Sequence, residues 1–117
     1  MEKCSFDHRV LQDDVFLINP GKTLDNSNAH EMVQALTNAQ ADGFRFVIMD
    51  LAALEFLSSA GVGSLLGSVD LFRERDGDII LCNVPAPIMH ILTVLDLTEF
   101  FTIRPNEQEA AVACGKE

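Results

Sequence analysis

Four short apolar runs punctuate the chain: Val15-Phe16-Leu17-Ile18, Phe46-Val47-Ile48-Met49, Ile79-Ile80-Leu81-Cys82 and Phe100-Phe101-Thr102-Ile103. Each has the length of a strand, is rich in β-branched or aromatic residues, and is bounded by turn formers. Between them the apolar spacing changes to three and four. Met32, Val33, Leu36 and Ala39 form one such stripe, Val62, Leu65, Leu66, Val69 and Phe72 a second, and Ile88, Ile91, Leu92 and Leu95 a third. These stripes predict amphipathic helices. The first is opened by Asn28, with Glu31 at capping-box distance, and closed by Gly43. The second runs from about Ser59 to Arg75 and ends in the turn Asp76-Gly77-Asp78. Pro85 and Pro87 open the third, with Pro87 in its first turn. Pro105 and Asn106, followed by Glu109, open a fourth near the C-terminus.

The beginning of the chain reads differently. Residues 3–10 alternate weakly, as an edge strand would, and Asp13-Asp14 suggests a hairpin into Val15. Asn19-Pro20-Gly21 is a strong turn signal. Residues 23–28, Thr-Leu-Asp-Asn-Ser-Asn, are rich in cap formers and read as a loop. From residue 15 onward strands alternate with helices. That order predicts an α/β fold with a mixed sheet: parallel strands joined by crossovers, and an antiparallel hairpin at the start. No linker or internal repeat interrupts it, so residues 1–117 are expected to form a single domain. Ile48, Leu65, Leu81 and Leu92 should all be buried.

Composition narrows the functions this fold could serve. A formal charge of −10 over 117 residues leaves no basic footprint for nucleic acid or an anionic membrane. It suits a protein partner with a basic surface. The hydrophobic fraction of 48% is that of a chain with a proper core. Cys4, Cys82 and Cys114 are odd in number and far apart, which argues against a disulfide framework or a zinc site. Free thiols point to the cytosol. No signal peptide or membrane-length apolar segment is visible, and no cofactor motif is complete.

Candidate chemistry concentrates in residues 45–67. Asp50 closes a strand, a position from which an α/β fold can present a site residue or hold the following loop. Ser58 and Ser59 then stand at a helix start. A serine there is a helix cap, or a place for a phosphate, since free N–H groups and the positive end of the helix dipole face it. Gly61, Gly63 and Gly67 miss the dinucleotide fingerprint by one residue, and no lysine follows for a P-loop. Small residues for close helix packing are the simpler reading. A serine nucleophile would need a base and an oxyanion hole, and the Gly-x-Ser-x-Gly elbow is absent. His8, His30 and His90 fall on segments read as strand edge or helix.

The run Asp50-Leu51, a few residues, then Ser58-Ser59-Ala60-Gly61-Val62-Gly63 resembles the motif of STAS domains, in which Asp-Leu is followed by Asp-Ser-(Ser/Thr)-Gly-(Leu/Val)-Gly before an apolar helix. The spacing of Ile88, Leu92, Leu97, Phe101 and Ile103 after a proline matches the same family, so the resemblance spans nearly the whole chain. It implies an anti-sigma-factor antagonist that binds an anti-sigma factor with serine-kinase activity. It also implies phosphorylation at Ser59, with Ser58 a less favoured acceptor. The implied partner surface takes in Asp50, Ser58, Ser59, Gly61, Gly63, Ser64 and Gly67. The chain departs from the motif at Ser58, where the family has aspartate, at Ala60, where it has Ser or Thr, and at Asp96, where a glycine often ends the third helix. A second reading within the family is an accessory subunit of a transport assembly, such as a lipid transporter, or a small-ligand module. An enzyme with Ser59 as nucleophile ranks last.

Overall fold

The computed structural model describes residues 6–12 and 14–115. Five strands form one sheet: β1 (Asp7–Gln12), β2 (Val15–Asn19), β4 (Phe46–Asp50), β6 (Asp78–Cys82) and β7 (Thr102–Arg104). The sheet order is β1-β2-β4-β6-β7. β1 runs antiparallel to β2, and every other neighbour is parallel. The mixed sheet with an initial hairpin is the expected one. Residues 3–5 of the expected edge strand, Asp13 and Cys4 lie outside the described residues. Two further strands, β3 (Thr23–Leu24) and β5 (Phe56–Leu57), pair in parallel as a small separate sheet.

Burial explains why the central strands read as unbroken apolar runs. Phe16, Ile18, Val47, Met49, Ile79 and Leu81 face the larger core, which is covered by α1 (Ala29–Ala41), α2 (Ser59–Arg73) and α3 (Ala86–Val94). Val15, Leu17, Ile48, Ile80 and Cys82 face the other way, onto Ala110 and Cys114 at α4 (Glu107–Ala113). A strand buried on both faces needs apolar residues at every position. Ile48, Leu65, Leu81 and Leu92 are all buried, as expected. Strand order follows chain order from β1 to β7, so the sheet has no point where its direction of winding reverses. The crevice that such a reversal opens for ligands is therefore not built into this topology.

Helix ends follow local chemistry, with three differences from expectation. Gly43 has φ +101° and closes α1 in the left-handed conformation that favours glycine. Asn28 is the N-cap of α1, but its side chain does not cap. Its Oδ1 accepts from the Asp25 N–H at 2.9 Å and its Nδ2 donates to the Thr23 carbonyl at 2.8 Å. The amide ties the preceding loop instead of the helix, so the Asn28 half of the capping box is missing. Val33 and Leu95 belong to predicted stripes yet are 38% and 49% exposed. Val33 sits at the border of its stripe. Leu95 lies past the last turn of α3, next to Asp96, which takes φ +61° in the left-handed region that favours glycine. The last strand begins at Thr102, two residues later than predicted, because Phe100 and Phe101 turn edge to face in the loop before it. Asn106 caps α4 as expected, its Oδ1 accepting from the Glu109 N–H at 2.9 Å.

Cys82 and Cys114 are free and buried. Burial first, then the nearby Asp50 and Glu107 carboxylates, push the Cys82 thiol from its usual value of 9.0 up to about 12. The folded state thus holds this proton more tightly than the unfolded chain does. Stability should be intact below pH 9 and decline between pH 9 and 12, where only the unfolded chain gains by ionising. A thiol reagent at pH 8 should leave Cys82 unmodified in the native protein and label it in denaturant. Labelling at equal rates in both would contradict the buried placement.

Candidate functional site

The start of α2 is built from three short pieces. Leu51 and Leu54 are buried and pin the loop after β4, and the Leu51 N–H donates to the Cys82 carbonyl at 3.0 Å. β5 then pairs with β3, and the Ser58 N–H donates to the Leu24 carbonyl at 3.0 Å. Ser58 has extended backbone, φ −90° and ψ 172°, and its Oγ accepts from the Gly61 N–H at 3.2 Å. Ser58 is therefore the N-cap of α2, and Ser59 is its first helical residue. Spacing alone could not decide which of two adjacent serines would cap.

The two hydroxyls consequently differ. Ser58 is half-buried and used as a cap, whereas Ser59 is exposed. No histidine or carboxylate is hydrogen-bonded to Ser59 among the described residues. His30 and His90 are exposed on their helices. His8 stacks on Phe16, and its Nδ1 lies 2.8 Å from the Phe6 carbonyl.

Asp50 is hydrogen-bonded to the loop that leads to the helix start and to the end of β6. Its Oδ1 accepts from the Ala52 N–H at 3.0 Å and from Asn83 Nδ2 at 3.2 Å. The carboxylate thus holds the base of the 51–55 loop and ties the ends of β4 and β6 together. Gly61 and Ser64 lie beneath the surface rather than on it. Ser64 is 7% exposed and donates to the Gly61 carbonyl at 2.6 Å. A Cβ on Gly61 would collide with the Leu24 carbonyl and lie 2.9 Å from Leu57 Cδ1. Gly61 is thus the residue that lets α2 sit against β3.

Gly63 and Gly67 are the opposite case. Both are exposed, and a Cβ on either would meet nothing within 4 Å. Glycine in a helix interior costs about 1 kcal/mol relative to alanine, so these two weaken α2 with no packing reason inside the chain. Gly63→Ala and Gly67→Ala should each raise stability by about 0.5–1 kcal/mol in a denaturant titration. Ser59, Gly63, Gly67, Asp70 and Glu74 together form one exposed face, running about 22 Å along the helix at 1.5 Å per residue. Sequence reasoning missed Phe56, which stands 53% exposed just before this face. An aromatic residue beside a buried leucine in a two-residue strand carries no periodic signal.

The STAS domain family model matches residues 9–110. The chain belongs to the STAS domain family. BtrV of Bordetella bronchiseptica, a protein named as an anti-sigma factor antagonist, is 35% identical over 94 residues, 78% of each chain. A Thermotoga maritima protein described as an anti-sigma factor antagonist shares the fold, with a TM-score of 0.87 at 20% identity, over 95% of each chain. The Bacillus cell-fate determinant SpoIIAA, solved in its phosphorylated form, superposes with a TM-score of 0.73 at 21% identity. That match covers 93% of this chain and 98% of the other. BtrV and the Thermotoga protein are thus both named as anti-sigma factor antagonists. Among the described residues, no helix is long and apolar enough to cross a membrane.

Proposed function

We propose that this STAS domain is a cytoplasmic anti-sigma-factor antagonist that binds an anti-sigma factor through the exposed face of α2 and is released when Ser59 is phosphorylated. The observation that carries this reading is the division of labour between the two serines. Ser58 caps the helix, which leaves the exposed Ser59 hydroxyl at the head of a face with no intrachain cover. The phosphorylated form of its fold relative SpoIIAA supports a covalent switch in this fold. The 35% identity to BtrV supports an anti-sigma factor as the partner. The domain's role is to bind and to be modified, with no reaction of its own. The departure at Ser58 fits this reading, because serine keeps the capping oxygen an aspartate would supply. The test is calorimetric titration of the purified domain with each purified anti-sigma factor of its source genome, with and without ATP. Binding by one of them, lost on ATP-dependent phosphorylation, is the expected result. No binding by any of them would overturn the reading.

A further inference from the structure

Three features along α2 and its approach break local rules of stability, and all three are exposed, Phe56 three residues before Ser59 in the chain. Phe56 places an aromatic side chain in solvent, with Thr23 as its cross-strand neighbour. Gly63 and Gly67 expose bare helix backbone. Asp70 and Glu74, four residues apart, set like charges on the last turn of the helix and beyond, where the dipole favours cations. Neither carboxylate has an ion pair among the described residues. Arg73, between them in sequence, is turned away to Asp78 at 2.9 Å and to the Phe100 ring and carbonyl. Rules broken without local return mark positions kept for something outside the chain.

We infer that the two ends of this face recognise different chemistry on one protein partner: Phe56 enters an apolar pocket, and Asp70 with Glu74 meets a lysine- or arginine-bearing segment at the far end of α2. This rests on the docking face proposed above and adds its polarity. The charge argument selects the occupant. A second copy of this chain would bring a charge of −10 against the same carboxylates, whereas a basic segment relieves their repulsion. Aromatic residues, phenylalanine among them, are enriched at protein interfaces, and flanking charge sets the encounter rate.

The experiment uses the full chain and the anti-sigma factor identified by the titrations above. Phe56→Ala should weaken binding by about 30-fold or more and leave the melting temperature nearly unchanged, since the side chain is exposed. Asp70→Lys with Glu74→Lys should slow association by about tenfold at low salt, the difference shrinking toward 1 M salt as screening sets in. The same double variant should melt no lower than the parent, because two cations suit the C-terminal end of the helix dipole and the acidic net charge falls. A merely structural role for these carboxylates would move stability and binding in the same direction. If Ser59→Asp weakens binding while Phe56→Ala and the lysine pair bind like the parent at every salt, the polarity is wrong and the docking reading stands. If no anti-sigma factor binds the parent, both fall.

Discussion

Gly61→Ala should lower the stability of the domain by about 2–3 kcal/mol, and with it the melting temperature by about 10 °C. The substituted Cβ would overlap the Leu24 carbonyl and press on Leu57 Cδ1. That carbonyl is not free to retreat, because it accepts the Ser58 N–H that joins β5 to β3. Relieving the clash means lifting the first turn of α2 off the small sheet. Overpacking of this kind costs about 3 kcal/mol or somewhat more, and the better helix propensity of alanine returns about 1 kcal/mol. Two residues further on, Gly63→Ala has no clash and keeps only the gain. Adjacent glycines of one motif should therefore give changes of opposite sign, read by thermal melts of the two variants side by side. If Gly61→Ala melted at or above the parent, the close seat of α2 on Leu24 would be refuted. The Ser58–Gly61 cap bond should loosen with the first turn, so amide exchange at Gly61 and Val62 should quicken in the same variant.

The sheet was legible because its central strands are buried on two faces, which leaves short unbroken apolar runs of strand length, rich in β-branched residues and bounded by turn formers. Ile48 and Leu81 could be placed from the run alone. Helix phases were legible where a whole turn repeats, as from Val62 to Phe72, and drifted at stripe borders and helix ends, as at Val33 and Leu95. What periodicity could not reveal was β3 and β5. Two residues make no pattern, and their pairing depends on a contact between segments more than thirty residues apart. The Asn28 side chain failed as a cap for a related reason. Thr23 and Asp25 compete for the same amide, and that competition exists only once the loop has folded. In the site, sequence located the serine pair but not the division between them. The difference between Ser58 and Ser59 arises from one residue of register at the helix start, which Leu24 and Gly61 set. Of the two readings the sequence left open for Asp50, the hydrogen bonds to Ala52 and Asn83 support the loop-holding one. Phe56 gave no signal at all, because exposure is a property of the neighbours a residue lacks.

Phosphorylation of Ser59 should release the bound anti-sigma factor and leave the fold intact. A phosphoserine carries about −1.5 to −2 charges at pH 7. At the first position of α2 those charges lie near N–H groups that have no helical acceptor, so the helix gains or is unaffected. The Ser58 cap bond is made by the neighbouring residue and does not depend on Ser59. The effect therefore falls on the interface. A docked partner has desolvated an exposed neutral hydroxyl, and a dianion in the same place is a buried charge without a counterion. A penalty of several kcal/mol follows, enough to weaken a micromolar complex by more than about a hundredfold. The basic segment that meets Asp70 and Glu74 lies at the other end of the face and does not neutralise a charge at Ser59. Ser59→Ala should fold and bind like the parent. Ser59→Asp should fold and bind less tightly, by less than the phosphorylated protein does, because it carries one charge in place of nearly two. Ser58→Ala should act the other way round, lowering the melting temperature through loss of the cap by about 1 kcal/mol while leaving affinity little changed. Titration calorimetry against the anti-sigma factor, with melts of each variant, separates these outcomes. Should the phosphorylated domain and Ser59→Asp both bind as tightly as the parent, Ser59 carries no switch. A STAS subunit of a transport assembly would then be the better account of the same face.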